Sequence, residues 1–374
     1  MASTDNATTT AIAVIQQQSD LVSTDVEVPQ LQAHQVYVKV EYAAFNPTDR
    51  LAFDLHAFGD GAVLGCDFVG TVTRTHPSVT KLEVGDKIAA LVWGGKRDQR
   101  TRGLLVSTVS PLTGPLSSVL TFCSTLCIAD ERIAFKIPEN VGHPEACAIP
   151  LAINTAYLAL FSETALGLPR NNSESGTPLL IWGGSSIVGY FAIQLAKMHG
   201  YVVATTCSPR NFEYVREAGA THVFDYRDPE VASKIRTELP TLAYVFDTIG
   251  SVNSSSTAAS ALNESKGALC TVRPGRANTQ DVPKTVKISD VFVFTAFPTP
   301  HSYRGTAHWP VMMENHRLSA ELYNELPRLL SDGLIKPPRV KTLGKLCPAV
   351  ILEAMELNRS GKVSAEKLCF EVSE

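Results

Sequence analysis

Gly184-Ser-Ser-Ile-Val-Gly189 lies between an apolar run, Leu179 to Trp182, and a stretch with apolar positions at helical spacing that ends at Gly200. This is the pattern of a tight small-residue turn joining a buried strand to a helix, the opening of a dinucleotide-binding βαβ unit. A pyrophosphate must come close to the backbone there, which excludes bulky side chains, and the N–H groups of the helix's first turn face the anion. Gly184, Ser185, Ser186, Ile187 and Val188 are therefore candidate cofactor contacts. The G-x-G-x-x-G fingerprint keeps its first and last glycine and has Ser186 in the middle. A serine still permits close approach, and its hydroxyl can donate to phosphate. Alone the motif is weak, because small-residue turns also join strands to helices with no ligand. A second strand, Tyr201 to Thr206, follows as a βαβ unit requires, and it ends in Cys207-Ser208-Pro209-Arg210-Asn211. The acidic residue that would hold a ribose 2′-hydroxyl is missing there. Ser208, Pro209, Arg210 and Asn211 instead bring donors and a positive charge, which suits a 2′-phosphate. The sequence thus predicts NADPH over NADH; the competing reading of the same residues is a solvated loop with an ordinary arginine.

Other chemistries find little support. No Ser/His/Asp nucleophile set and no persuasive carboxylate pair stands out. Of the nine histidines only His56 lies near the N-terminal motifs, where a solvated role is the simpler reading. The eight cysteines are scattered, and Cys123 and Cys127 are the only close pair. A chain of 374 residues has no need of a disulfide framework. Hydride transfer needs no protein nucleophile, because the cofactor carries the chemistry and the protein positions it.

The elements that must position these residues fall into two blocks. Ala11 to Val14, Val36 to Tyr42, Gly65 to Val72 and Val84 to Val92 read as strands, with strong alternation in the second. Asn46-Pro47 is a turn signal, and Thr48 or Asp49 can cap a helix after it. Strand after strand with little helix predicts a β-rich domain. From Pro178 onward strands and helices alternate: Thr221 to Tyr226, Thr241 to Asp247 and Ala268 to Val272 are further strands, and Glu213 to Ala218 is a helix. Pro144 to Leu160 reads as one helix between the blocks, Val291 to Phe297 as an apolar strand, and Leu318 to Leu330 as a helix. The tail returns to the β-rich domain with a helix over Val350 to Arg359 and a strand over Lys367 to Val372. Arg97 to Ile128 is anomalous: Gly103 to Ala129 carries no charge and is full of Ser, Thr, Leu and Val. Pro111, Pro115 and the hydroxyls make it a poor membrane span. A long insertion, a poorly ordered loop and a translated intron all remain open readings, and the strand expected there is in doubt.

Asn46-Pro-Thr-Asp49, Gly65-Cys-Asp-Phe-Val-Gly70, Val84-Gly-Asp-Lys87 and Gly183-Gly-Ser-Ser186 occur in the order of the medium-chain dehydrogenase/reductase superfamily, which the chain resembles from about Ala11 to Val372. The closest look is to its zinc-independent enoyl and quinone reductase branch. Within that branch it resembles the trans-acting enoyl reductases of fungal polyketide synthases, the group of the lovastatin enoyl reductase. Ser208-Pro-Arg-Asn211, Phe224-Asp-Tyr226 and Gly361-Lys-Val-Ser364 followed by Glu366-Lys-Leu368 carry this closer likeness. The resemblance implies an α/β chain with a GroES-like β-rich catalytic domain over 1–157 and 328–374, and a Rossmann doubly wound parallel-sheet domain binding NADPH over 158–327. It adds Pro47, Thr48, Asp49, Arg50, Tyr226, Val272, Arg273, Val363 and Ser364 to the cofactor contacts. It gives the acyl pocket Ile149, Pro150, Leu151, Ala152, Ile153, Asn154, Thr155 and Ala156 from one segment, and Phe292, Val293, Phe294, Thr295 and Ala296 from another.

Zinc-dependent relatives have Cys at the Asn46 position and His-Glu after the glycine at Gly65. Here Asn46, Cys66 and Asp67 stand instead, too few ligands for a catalytic zinc, so Cys66 and Asp67 are expected to be core and backbone-organising residues. The implied reaction is conjugate reduction: hydride from NADPH goes to the β-carbon of an α,β-unsaturated acyl thioester, and the enolate is held by hydrogen-bond donors around Arg50, Asn154 and Thr155. Some mitochondrial enoyl reductases place a tyrosine donor where Phe58-Gly59 stands, so that acid is not available and no catalytic acid is assigned. The implied partner is a carrier domain of a polyketide or hybrid synthase. The rivals are a quinone or other alkene reductase and a non-catalytic NADPH-binding subunit. The net charge of −4 gives no basic field for nucleic acid or an anionic membrane. With 19 % charged and 44 % apolar residues and no leader-like N-terminus, a cytoplasmic monomer is expected.

Overall fold

The structure, a computed structural model, describes residues 10–93, 123–170, 176–263, 267–303 and 307–372. Among them, two large sheets lie on either side of a buried helix. The first is mainly antiparallel and holds β3 (Gln35–Ala44), β4 (Asp67–Thr75), β5 (Lys87–Leu91), β6 (Leu126–Asp130), β7 (Ala134–Lys136), β16 (Val340–Lys345) and β17 (Lys367–Glu371). Its order is β16-β17-β3-β4-β5-β7, with β6 also paired to β3. A hairpin of β1 (Thr10–Gln17) and β2 (Asp20–Glu27) stands beside it. Short α1 (Pro47–Asp54) follows β3. Val36, Val38 and Val40 fill one core with Phe68, Ile88 and Phe370, which is why β3 alternates so strongly.

The second sheet is parallel throughout: β8 (Pro178–Trp182), β9 (Val202–Cys207), β10 (His222–Asp225), β11 (Tyr244–Asp247), β12 (Ala268–Thr271) and β13 (Lys287–Asp290). The order is β10-β9-β8-β11-β12-β13, the doubly wound arrangement in which the chain reverses direction across the sheet beside its first strand. A crevice therefore opens at the C-terminal ends of β8 and β11. Leu179 and Ile181 face one core and Leu180 and Trp182 the other, so β8 is apolar at every position without alternating. Helices α2 (His143–Cys147), α3 (Pro150–Phe161), α4 (Ile187–Met198), α5 (Phe212–Ala218), α6 (Val231–Glu238), α7 (Val252–Ser260), α8 (Met313–Ser331) and α9 (Pro348–Arg359) complete the layers. Helix α3 is buried at every residue, and its core is shared with Val69 and Phe135 of the first sheet and Leu179 and Ile181 of the second.

Four readings of the sequence need correction. The helix expected over Pro144 to Leu160 is two helices, because Pro150 has no N–H to carry the hydrogen-bond ladder from one into the next. Val291 to Phe297 is not a strand: β13 stops at Asp290 and Val293–Ala296 is one turn of 3₁₀ helix, closed by Thr295 Oγ1 donating to the Phe292 carbonyl at 2.8 Å. A run buried on all sides has no periodicity to separate the two forms. Strand β2 and the small hairpin of β14 (His301–Tyr303) and β15 (Ala307–Trp309) are additional. Finally, the doubtful strand exists: Leu126–Asp130 pairs with β3 through Val38↔Cys127. The rest of the anomalous stretch, 97–122, lies outside the described residues.

Candidate active site

The turn after β8 shows why its glycines are glycines. Gly183 has φ +86°, and a Cβ on it would meet the Ile249 side chain at 2.7 Å. A Cβ on Gly184 would meet Thr205 Oγ1 at 2.1 Å, and one on Gly189 would meet the Gly183 carbonyl at 2.4 Å. These are the close approaches of turn, strand and helix that the fingerprint encodes. Ser186 caps α4, its Oγ accepting from Gly189 N at 2.9 Å and lying 2.8 Å from Thr248 Oγ1. That hydroxyl is thus engaged by the protein rather than free for a phosphate. Ser185 to Val188 stay half-buried at the lip of the crevice, where the N-terminus of a twelve-residue helix favours an anion.

At the far end of the crevice, residues more than a hundred positions apart meet. Asn211 Nδ2 reaches Ser364 Oγ at 3.1 Å and Ser208 Oγ at 3.3 Å. Val363 and Ser364 therefore stand beside the Ser208–Asn211 loop. Pro209 and Arg210 are exposed, and among the described residues the Arg210 guanidinium has no ion-pair partner. The register Asp225↔Cys207 brings Tyr226, half exposed, next to this loop. Asp225, next to Tyr226, is neutralised by Arg227, whose Nη2 lies 2.8 Å away and whose guanidinium sits over the Tyr226 ring. At the other end Asp247 is fully buried and takes four donors, Ile249 N, Gly250 N, Ser254 Oγ and Ser255 Oγ, which fixes the loop at the β11 edge. Val272 N bonds the Asp247 carbonyl, and Arg273 lies against Gly250, its Nε 3.2 Å from that carbonyl.

Beside the first turn of α3 lies a polar cluster built on a lysine that the sequence offers only within Glu366-Lys-Leu368, with no role at the site. Asp67 Oδ2 accepts from Asn46 Nδ2 at 2.9 Å and from Lys367 Nζ at 3.0 Å, and Lys367 also bonds Asn46 Oδ1. Asp67 Oδ1 accepts from Leu151 N at 2.6 Å, which anchors the first turn of α3 to β4. Lys367 is 4 % exposed and carries the cluster's positive charge. A lysine opening the apolar run Leu368–Phe370 is the one local hint, and it does not record what the side chain meets. Asp67 thus organises backbone as expected, and an ammonium lies where the side chains of Asn46 and Asp67 converge. Among the described residues no group of three or more His, Cys, Asp or Glu is placed to hold a metal.

Asp49 turns inward to the same cluster. Its carboxyl accepts from Asn46 N at 2.7 Å and from Cys66 Sγ at 3.6 Å, and burial pushes it up to about 7. Pro47 is exposed and Thr48 half-buried at the helix start, while Arg50 is committed to Asn358 at 2.8 Å and Asp54 at 2.9 Å.

The acyl-side segments face each other across the junction, for α3 packs on the Val293–Ala296 turn. Ile149 to Ala156 are all buried. Thr155 spends its hydroxyl on the Leu151 carbonyl at 2.7 Å. Asn154 differs: it is fully buried, and neither Nδ2 nor Oδ1 has a partner among the described residues. One turn further on the same face, Leu158 lines a cavity of about 120 Å³ with Phe292, Thr295, Trp309 and Asn315. An aromatic wall stands beside it. Trp93 is 5.4 Å from Phe58, 5.5 Å from Phe292, 4.1 Å from Phe294 and 5.0 Å from His301, centroid to centroid, and Phe292 stacks on Trp309 at 3.9 Å. Trp93, His301, Trp309 and Asn315 carried no sequence motif. They meet only because β5, the small hairpin and α8 end together.

Residues 32–139 match the family model described as "Alcohol dehydrogenase GroES-like domain", and residues 188–309 the one described as "Zinc-binding dehydrogenase". A "Trans-enoyl reductase" of Gibberella fujikuroi is 31 % identical over 94 % of this chain and 94 % of its own. The enoyl reductase component of lovastatin nonaketide synthase from Aspergillus terreus is 30 % identical over 91 % of this chain and 90 % of its own. Among solved structures, a putative zinc-dependent alcohol dehydrogenase from Rhizobium etli superposes with TM-score 0.75 at 24 % identity, covering 98 % of this chain and 99 % of that one. The CurK enoyl reductase does so with TM-score 0.70 at 16 % identity, covering 97 % and 99 %. These two likenesses concern the fold.

Proposed function

Since this chain belongs to the medium-chain dehydrogenase/reductase superfamily of oxidoreductases, whose fold takes a nicotinamide cofactor, we propose that it is a trans-acting enoyl reductase. It uses NADPH to reduce the α,β-double bond of an acyl thioester held on the carrier domain of a polyketide synthase. The observation that carries this reading is the nearly end-to-end likeness to a fungal trans-enoyl reductase, at 31 % identity over 94 % of both chains. We place the catalytic domain at 1–157 and 328–374 and the NADPH domain at 158–327; α3 and α8 run through the two boundaries.

The residues fit a dinucleotide along the crevice, with the glycine turn and α4 N-terminus for the pyrophosphate and Ser208, Arg210, Asn211 and Ser364 for a 2′-phosphate. The bound cofactor supplies a hydride to the substrate's β-carbon. The chain must then hold the enolate oxygen while the α-carbon takes a proton from solvent. Of the three donors considered, Arg50 is tied to Asp54 and Asn358, and Thr155 to its own helix. Asn154 is the one of the three whose buried polar atoms have no partner at all among the described residues, so it is assigned as the donor at the thioester oxygen. Lys367 holds its place against Asn46 and Asp67, and the mechanism runs without zinc. Asp67 positions Asn154 indirectly, through the first turn of α3. The protein works as a cytoplasmic monomer.

A quinone reductase is the second reading, favoured by the aromatic side chains of Trp93, Phe292 and Phe294, which a planar ring could pack against. Purified protein with NADPH and an enoyl-pantetheine thioester, beside NADH and a simple quinone, separates the two. Oxidation of NADPH with the thioester alone is expected; oxidation with the quinone alone selects the rival.

A further inference from the structure

The aromatic wall contains one polar side chain. His301 is 4 % exposed, with its ring 5.0 Å from Trp93 and 5.8 Å from Phe292, both edge-on. The backbone at Phe294 and Phe297 hydrogen-bonds to the ring and favours a proton on it, whereas Nε2 is buried with no partner among the described residues. The Nδ1 side thus carries the proton, and Nε2 is left as a bare lone pair. Burial pushes the imidazole down to about 4, so the ring is neutral near neutral pH. An unprotonated acceptor cannot stabilise an enolate oxygen, which removes His301 from the role given to Asn154. A buried acceptor left empty is nevertheless costly unless a ligand fills it. Phe292 links the group to open space: it lies against His301 and also lines the 120 Å³ cavity with Trp309, the residue paired across the hairpin from His301.

We propose that His301 is a specificity residue of the acyl pocket, whose Nε2 accepts a hydrogen bond from a neutral donor on an otherwise apolar acyl-pantetheine. The donor is a hydroxyl on the chain or a pantetheine amide N–H. The inference rests on the enoyl reductase reading for the class of ligand, and it concerns binding rather than the hydride step. A site built to hydrogen-bond a hydroxyl discriminates strongly against the analogue that lacks it, because its own polar group is then left unpaired.

The test measures dissociation constants by calorimetry for saturated acyl-pantetheines in matched pairs, with and without a hydroxyl walked along the chain, and for the plain ethyl thioesters. For the wild type, at least one hydroxylated chain, or the pantetheine form over the ethyl form, is expected to bind about tenfold tighter. His301→Phe keeps the ring and is expected to abolish that preference, while His301→Gln, which restores an acceptor, recovers part of it. His301→Met fills the space flexibly and carries the same test if phenylalanine does not fold. A wild type without any such preference, or a preference unchanged by losing the acceptor, overturns the proposal. Turnover of the matching enoyl thioesters is followed in parallel. If none oxidises NADPH, the reductase reading fails, and the binding preference still decides the role of His301.

Discussion

Asn154 sets up a conflict between stability and use. Two buried amide atoms without partners cost on the order of 1–3 kcal/mol each in the free protein. Asn154→Leu, nearly equal in size, is expected to raise Tm by a few degrees in a thermal melt while lowering kcat by about 10²-fold for an enoyl thioester. A drop in both would make the residue structural. At the opposite end of the crevice, Arg210→Ala is expected to weaken NADPH about tenfold or more and leave NADH nearly unchanged in a fluorescence titration, since only NADPH has the extra phosphate. Asp49 gives a pH signature. Its carboxyl sits at about 7 in the fold against 3.8 for a free one, so between about pH 4 and 7 the folded chain holds a proton that the unfolded chain has lost. Stability from this group is complete below about pH 4 and is lost as pH rises through 7. Chemical denaturation of wild type beside Asp49→Asn should show the difference between them shifting in favour of the variant from pH 5 to pH 8.

At the scale of elements, the Asp67–Lys367–Asn46 cluster joins β3, β4, β17 and the start of α3. Lys367→Met strands the Asp67 carboxylate without its cation, and such a loss costs about 3–5 kcal/mol. Denaturant unfolding should show it, and Lys367→Arg should recover part of the loss. The elements were unevenly legible in sequence. Strands β3 and β8 announced themselves, one by alternation and one by an unbroken apolar run. The Ser208–Asn211 and Val363–Ser364 segments, separate in sequence, meet as a hydrogen-bonded unit because the chain leaving α9 comes back beside the loop after β9. Lys367 looked like an ordinary strand residue, since nothing local records that its side chain points at Asp67, 300 positions away. The Val293–Ala296 turn reads as a strand in sequence because burial on every side erases the pattern that distinguishes the two. The aromatic wall was invisible for a related reason: its rings come from β5, the β13 exit and the β14–β15 hairpin, and each alone is a plain core residue.

For the molecule as a whole, the crevice at the C-terminal ends of β8 and β11 is the central feature. Both sheets pack on α3, so the helix that carries Asn154 is held by the β-rich part through Asp67 and on the other side by Leu179 of β8 and Phe191 of α4. Among the described residues no helix is long and apolar enough to cross a membrane. Cofactor binding should be visible globally, because a ligand at 100 times its Kd stabilises the folded state by about 2.7 kcal/mol; NADPH should therefore raise Tm more than NADH at equal concentration. The central claim is the reaction itself. The most direct measurement mixes the purified protein with NADPH and a crotonyl- or longer enoyl-pantetheine thioester and follows the absorbance of the reduced cofactor. The account predicts rapid loss with NADPH and the enoyl thioester, and little with NADH or a simple quinone. Loss with the quinone alone, or NADPH binding without oxidation by any thioester, free or carrier-bound, would contradict it.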